Sequence, residues 1–141
     1  MNIYTASNIE NSIIESLSDG NGFRLVLFTC GCPHHCHGCQ NPKSWNIRNG
    51  IPISVDVLAN KIIQNIDNYD GLTISGGDPF YQEKAIEKLL NLIKTEKPDT
   101  NIWVYTGYKY EDIKNKSILK YIDVLVDGPF KIDKKYLNAG N

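Results

Sequence analysis

The stretch of sequence that decides the fold is an apolar run that leads directly into a cysteine-rich segment. Residues 23–39 read FRLVLFTCGCPHHCHGC. The run Phe23–Thr29 follows the turn signal Asn21-Gly22 and is almost entirely apolar, so it predicts a buried strand. All 4 cysteines of the chain lie in the segment that follows, from Cys30 to Cys39. A strand that ends in a group of thiols is the first indication of function.

Strands and helices are predicted to alternate after this segment. Aliphatic residues at helical spacing predict a helix with Ser54 as its N-cap, a second helix from Gln82, and a weaker one over 111–120. Short apolar runs predict further strands at 72–75, 102–105 and 122–126. This alternation indicates βα units and a mainly parallel sheet. Four strands are too few for an eight-stranded barrel, so we expect an α/β fold with a partial, open (βα) barrel and one domain over residues 1–141.

The conspicuous polar motifs all follow the ends of predicted strands. After the cysteine segment they are Gly76-Gly77-Asp78-Pro79, Thr106-Gly107 and Asp127-Gly128. The carboxyl ends of parallel strands meet at one edge of a sheet, which is where α/β proteins place their sites. We therefore expect these motifs to form a single site.

The cysteine segment has the spacing C-x3-C-x2-C at Cys32, Cys36 and Cys39. Three thiolates on a short loop can hold an iron–sulfur cluster, and a [4Fe–4S] cube with three protein ligands keeps one iron open for a substrate. Cys30 lies two residues before the motif, and the spacing alone does not exclude it as a ligand.

Zinc is the second interpretation of the same segment. The cysteines and the three histidines among them exceed the four ligands of tetrahedral zinc, although structural zinc sites usually use two separated pairs of ligands. Disulfides are disfavoured by the tight spacing and by a reducing compartment.

Charge and composition argue against other classes of protein. Lys+Arg total 15 against 16 Asp+Glu, and the pI is near 6.3, unlike a nucleic-acid binder that relies on bulk basic charge. Met1–Ser7 shows no targeting signal, and no apolar run approaches the roughly 20 residues of a membrane span. We therefore expect a cytoplasmic protein with no nucleic-acid or membrane partner.

The cysteine spacing after the first long strand resembles that of the radical S-adenosylmethionine (radical SAM) enzymes. Within them, the sequence is similar to the activases of anaerobic, class III ribonucleotide reductases. Even Gly38, where many radical SAM enzymes have an aromatic residue, is shared with that group. The matching stretches occur in order along the chain and read FRLVLF (23–28), CHGCQN (36–41), SW (44–45), SGGDP (75–79), VYTGY (104–108) and DVLVDGPF (123–130).

The resemblance implies an oxidoreductase with a radical SAM-type partial barrel. Cys32, Cys36 and Cys39 would hold a [4Fe–4S] cluster and would be the catalytic and metal-binding residues, with Cys30 a bystander. S-adenosyl-L-methionine would bind the fourth iron, and an electron from an external donor would cleave it to methionine and a 5′-deoxyadenosyl radical. That radical would abstract hydrogen from a glycine of the large subunit of the anaerobic reductase.

The resemblance also implies a set of residues around S-adenosyl-L-methionine. They are Gly38, Cys39, Gln40, Gly76, Gly77, Asp78, Thr106 and Gly107. Glycines let backbone approach a ligand, and the Asp78 carboxylate could accept a hydrogen bond from the methionyl ammonium. The alternative is a plain strand-to-helix turn in which Asp78 is the N-cap and Pro79 the first residue, with an ordinary turn at Thr106-Gly107.

Three functions stay open at this point. The first is a glycyl-radical activase, in which a protein partner encloses the open site, because so short a chain has little left to enclose a small substrate. The second is another radical SAM reaction, such as activation of pyruvate formate-lyase or a small-molecule reaction like deazapurine synthesis. The third is a zinc-stabilised binding module without catalysis.

Overall fold

A computed structural model of the protein describes residues 1–31 and 49–128, and within them a single sheet contains seven strands. The strands are β1 (Asn2–Thr5), β2 (Ile13–Ser16), β3 (Arg24–Thr29), β4 (Ile51–Ser54), β5 (Gly71–Gly76), β6 (Ile102–Tyr105) and β7 (Val124–Val126). The helices are α1 (Ile9–Ser12), α2 (Val55–Asn65), α3 (Glu83–Glu96) and α4 (Tyr110–Ile113), with 3-10 helices at Ile66–Asn68, Pro79–Gln82 and Ser117–Tyr121.

The sheet is mixed, with a parallel half and an antiparallel half. Its order is β4-β1-β3-β5-β6-β7, and β2 also pairs with β3. The pairs β3–β5, β5–β6 and β6–β7 are parallel, whereas the pairs that involve β1, β2 and β4 are antiparallel. The α/β class and the open sheet are as predicted, but mainly parallel pairing describes only the half from β3 to β7. The connection 17–23 between β2 and β3 is too short for a crossover, so these two strands pair as a hairpin.

The core lies between the sheet and the two long helices. Leu25, Leu27, Leu72 and Ile74 of the central strands belong to one buried cluster with residues of α2 and α3. The predicted helix after Ser54 is confirmed: the Ser54 side chain accepts a hydrogen bond from the Asp56 N–H at 3.2 Å.

The prediction of one helix over 111–120 is wrong. Residues 110–113 form α4, and a separate 3-10 helix covers Ser117–Tyr121. Ile113 and Ile118 are the buried residues of these two helices. They are five positions apart, and a continuous α-helix would turn them toward different directions, so two short helices bury both. No helix in the described ranges is long and apolar enough to span a membrane.

Strand β1 lies between the two ends of the cysteine segment. Thr5 pairs with Thr29 of β3 on one side and with Ile51 of β4 on the other. The chain therefore leaves the sheet at β3 and re-enters it at β4, with one strand in between. Residues 32–48 themselves lie outside the described residues, and so do residues 129–141.

Candidate functional site

Backbone hydrogen bonds continue between the residues that follow β3 and the residues that follow β5. The Gly77 N–H donates to the Thr29 carbonyl at 3.0 Å, and the Asp78 N–H donates to the Gly31 carbonyl at 2.8 Å. Gly31 directly precedes Cys32, the first cysteine of the C-x3-C-x2-C motif. The turn at 76–78 is thus hydrogen-bonded to the point at which the cysteine segment begins.

Only glycine allows these two turns to lie so close together. Gly76 has a φ of +110°, and a Cβ atom there would lie 2.3 Å from the Thr29 carbonyl oxygen. A Cβ atom at Gly77 would lie 2.5 Å from the Gly31 carbonyl oxygen. Contacts this short are sterically forbidden, so both positions require a residue without a side chain.

The Asp78 carboxylate joins the β5 turn to the β6 turn. The side chain is fully buried. Its Oδ1 accepts a hydrogen bond from the Phe80 N–H at 3.0 Å, and its Oδ2 accepts one from the Gly107 N–H at 2.9 Å. The Thr106 hydroxyl lies 2.8 Å from Oδ1 and donates to the same carboxylate. Asp78 is therefore the N-cap of the 3-10 helix that begins at Pro79, and its contact with a ligand stays a prediction.

The β6 turn is bonded in the same way to the end of β7. The Thr106 N–H donates to the Val126 carbonyl at 2.9 Å, and the Gly128 N–H donates to the Tyr108 carbonyl at 2.8 Å. The Thr106 hydroxyl also accepts a hydrogen bond from the Tyr108 N–H at 3.2 Å. One chain of hydrogen bonds therefore runs along the edge from β3 to β7.

The structure brings together five of the predicted site residues. They are Gly76, Gly77, Asp78, Thr106 and Gly107. Cys32, Cys36, Cys39, Gly38 and Gln40 lie outside the described residues. The donor set of the motif fits an iron–sulfur cluster, because thiolates are the ligands that hold such clusters. The side-chain-free turn at Gly76-Gly77, which is bonded to Thr29 and Gly31, fits a ligand that must approach the backbone closely.

The sequence is similar to those of known proteins. A family model described as "4Fe-4S single cluster domain" matches residues 18–140. The anaerobic ribonucleoside-triphosphate reductase-activating protein of Enterobacteria phage T4 is 41% identical over 116 residues, which cover 80% of this chain and 74% of the phage protein. The chain belongs to the family of these activating proteins. The Haemophilus influenzae member is 42% identical over 120 residues (79% of this chain, 77% of that protein). The Escherichia coli K12 member is 36% identical over 125 residues (83% and 80%).

Membership of the activating-protein family confirms three predictions. The chain is an enzyme, its cofactors are a [4Fe–4S] cluster and S-adenosyl-L-methionine, and the resemblance stated from its motifs is correct. The match to a 4Fe-4S domain favours the cluster over zinc for the cysteine segment.

Cys30 is buried at the end of β3, with 2% of its surface exposed. Its N–H donates to the Tyr4 carbonyl at 2.9 Å. Burial raises the pKa of the Cys30 thiol, and a hydrogen bond with the Gly31 backbone opposes that shift only in part. The bystander role of Cys30 stays a prediction.

Sequence reasoning missed Gln82, whose side chain hydrogen-bonds to the backbone of Cys30. Its Nε2 donates to the carbonyls of Tyr4 and Cys30, at 2.9 Å each, and its Oε1 accepts from the Tyr4 N–H at 2.7 Å. A glutamine before a helix does not by itself indicate contacts with a distant strand. The sequence did not predict β1, the strand that contains its partner Tyr4.

Sequence reasoning also missed Arg24, which lies at the opposite, amino end of the parallel strands. The guanidinium donates to the Thr73 hydroxyl at 2.8 Å and to the Leu72 and Asn101 carbonyls at 2.9 Å each. Burial lowers the pKa of Arg24, an effect that the charge of Asp70 partly offsets. A groove of about 310 Å³ at this end is lined by residues from 66–71 and 96–101. None of these residues is a predicted site residue, so we assign the contacts of Arg24 to the stability of the sheet.

Proposed function

We propose that this chain activates an anaerobic ribonucleoside-triphosphate reductase by generating a glycyl radical on its large subunit. The observation that carries the proposal is the pairing of the Gly76–Asp78 turn with Thr29–Gly31, directly before the C-x3-C-x2-C motif. Relatives that are 36–42% identical to this chain are named as anaerobic ribonucleoside-triphosphate reductase-activating proteins.

Three cysteines and two turns would bind the cofactors. Cys32, Cys36 and Cys39 would hold the cluster, and the backbone at Gly76-Gly77 would contact S-adenosyl-L-methionine, with Gly38, Gln40 and Thr106-Gly107 around it. A reduced [4Fe–4S] cluster with bound S-adenosyl-L-methionine supplies the 5′-deoxyadenosyl radical that takes a hydrogen atom from the glycine.

The chain's own residues hold these elements in place. Asp78 and Thr106 link the β5 and β6 turns through buried hydrogen bonds, which would hold the backbone of both turns in place for a ligand. Glycine at positions 76 and 77 lets this backbone lie against the start of the cysteine segment.

The open sheet supports a protein as the substrate. Within the described residues, the parallel strands β3, β5, β6 and β7 end an open sheet at β7, and they would form the partial barrel of the radical SAM type. A radical needs a site from which water is excluded, and the large subunit would supply the missing cover. We further propose that the protein works in the cytoplasm, as one domain over residues 1–141, with an external electron donor and without a membrane.

Anaerobic purification followed by iron and sulfide analysis tests the cluster. We expect a coloured protein with iron and sulfide in the ratio of a [4Fe–4S] cluster. Cys36→Ala should abolish reductive cleavage of S-adenosyl-L-methionine, whereas the matched variant Cys30→Ala should keep it. A colourless protein with zinc and no sulfide would overturn the proposal.

Electron paramagnetic resonance (EPR) then tests the partner. The wild-type protein, incubated with S-adenosyl-L-methionine, reductant and the anaerobic reductase, should produce a glycyl radical signal on the reductase. A signal on pyruvate formate-lyase in its place would assign the protein to the other class of activase.

A further inference from the structure

The Gln82 side chain hydrogen-bonds to the backbone of β1 and to the backbone of the residue that follows β3. The register of β1 with β3 pairs Thr5 with Thr29, and the Cys30 N–H, next along the chain, donates to the Tyr4 carbonyl at 2.9 Å. At the same place the Gln82 amide bonds both the N–H and the carbonyl of Tyr4, at 2.7 and 2.9 Å. The same Nε2 also reaches the Cys30 carbonyl at 2.9 Å. One amide therefore joins β1 to the residue that follows β3.

Three successive carbonyls precede the cysteine motif, and each accepts a hydrogen bond. The Thr29 and Gly31 carbonyls accept from the backbone of the turn at Gly77-Asp78. The Cys30 carbonyl, which faces the other side, accepts from Gln82. The direction of the peptide between Cys30 and Gly31 is therefore set by backbone on one side and by a side chain on the other.

The chemistry of this position requires a neutral amide. The Tyr4 N–H donates to Gln82, the Cys30 carbonyl accepts from Gln82, and the Tyr4 carbonyl accepts from both Gln82 and the Cys30 N–H. An amide has one acceptor and a two-hydrogen donor, which matches this set. A carboxylate would satisfy only the Tyr4 N–H and would bring a negative charge against two carbonyl oxygens.

We propose that Gln82 is a positioning residue for the cluster site, because it fixes the peptide from which the chain enters the cysteine motif at Cys32. The inference rests on the proposed function. Residues that orient the ligands of a metal site without touching the metal usually change affinity or activity about 10- to 100-fold when they are replaced. Gln82 acts through the backbone of Cys30 and Gly31.

The variant Gln82→Glu tests this role in the full-length, reconstituted protein, with Gln64→Glu as the matched control. Gln64 is exposed on α2, so the same chemical change there alters only surface charge. We expect Gln82→Glu to slow cleavage of S-adenosyl-L-methionine about 10- to 100-fold per mole of cluster. The EPR spectrum of its reduced cluster should respond less to S-adenosyl-L-methionine, and a chelator should remove its iron faster. Gln64→Glu should match the wild type in all three measurements.

A purely structural role would give a different result. In that case Gln82→Glu would lower the melting temperature, but cleavage per cluster, the EPR response and iron release would equal those of the wild type, and the inference would be overturned. If Gln82→Glu does not fold, Gln82→Met, which keeps the size and removes the hydrogen bonds without adding charge, is judged by the same three measurements. A wild-type protein without a cluster would instead overturn the proposed function, and the inference with it.

Discussion

Thr106 links two turns through a single hydroxyl group, which donates to the buried Asp78 carboxylate and accepts from the Tyr108 N–H. Thr106→Val keeps the shape and removes both hydrogen bonds, so it should lower the free energy of unfolding by about 2 kcal/mol. Thr106→Ser keeps the hydroxyl and loses one methyl group, and should cost no more than about 1 kcal/mol. Urea denaturation of both variants measures the difference, and equal losses would show that the hydroxyl contributes nothing.

Gly76 and Gly128 share a positive φ but differ in their surroundings. A Cβ atom at Gly76 would collide with Thr29, whereas at Gly128 no described atom lies within 4 Å of that position. Gly128→Ala should therefore cost only the backbone strain, about 1–2 kcal/mol. Gly76→Ala should cost at least about 2 kcal/mol more and should reduce cleavage of S-adenosyl-L-methionine, because the two turns must separate. Urea denaturation and a cleavage assay check both effects, and similar behaviour of the two variants would contradict this interpretation.

At the residue scale, the motifs identified the site but not its internal contacts. The Gly-Gly-Asp-Pro sequence predicted both a ligand-binding turn and a helix N-cap, and the structure shows the N-cap. The sequence could not indicate that the Asp78 carboxylate also bonds Thr106 and Gly107, because those residues are 28 and 29 positions away. Gln82 escaped prediction for the same reason, since its partner Tyr4 is 78 positions away.

At the scale of elements, Arg24 at the start of β3 connects the amino ends of neighbouring strands. Its guanidinium bonds Leu72 and Thr73 of β5 and Asn101, the residue before β6. Arg24→Lys replaces a fork of donors by a single ammonium group, which cannot reach Thr73, Leu72 and Asn101 together. The free energy of unfolding should fall by about 3 kcal/mol in urea denaturation. Cleavage of S-adenosyl-L-methionine per folded molecule should stay within about twofold of the wild type, since Arg24 begins β3 and the cysteine motif follows the opposite end of that strand in the sequence. Full activity loss in a stably folded variant would contradict that separation.

The parallel half of the sheet was predictable, and the antiparallel half was not. Strands β3, β5, β6 and β7 follow from continuous apolar runs, which are typical of strands buried on both faces. Strands β1, β2 and β4 have four residues each, and Asn2–Thr5 alternates exposed and buried positions with Ile3 as its one aliphatic residue. So short a pattern does not distinguish a strand from a turn, and only tertiary pairing selects it.

At the scale of the whole molecule, the core does not depend on the metal. Leu27, Ile74 and Val104 of the sheet pack in one buried cluster with the long helices, within the described residues. Removal of iron with a chelator should therefore leave the far-ultraviolet circular dichroism and the amide exchange protection of β3, β5 and β6 nearly unchanged. Hydrogen exchange on cluster-free and reconstituted protein provides the measurement. Global unfolding on chelation, as in zinc fingers, would show that the metal supplies the folding energy.

Strand β1 has a consequence for how the cluster assembles. Thr5 pairs with Thr29 and Ile51 on its two sides, so the ends of the cysteine segment are held two strand spacings apart, or roughly 10 Å. The two chain positions that flank the segment are therefore held near each other by the sheet, without any contribution from iron. The entropic cost of bringing the ends of this loop together is therefore part of folding, and cluster insertion does not include it. Iron and sulfide therefore meet ligands whose chain ends are already gathered, which raises their effective concentration at the site.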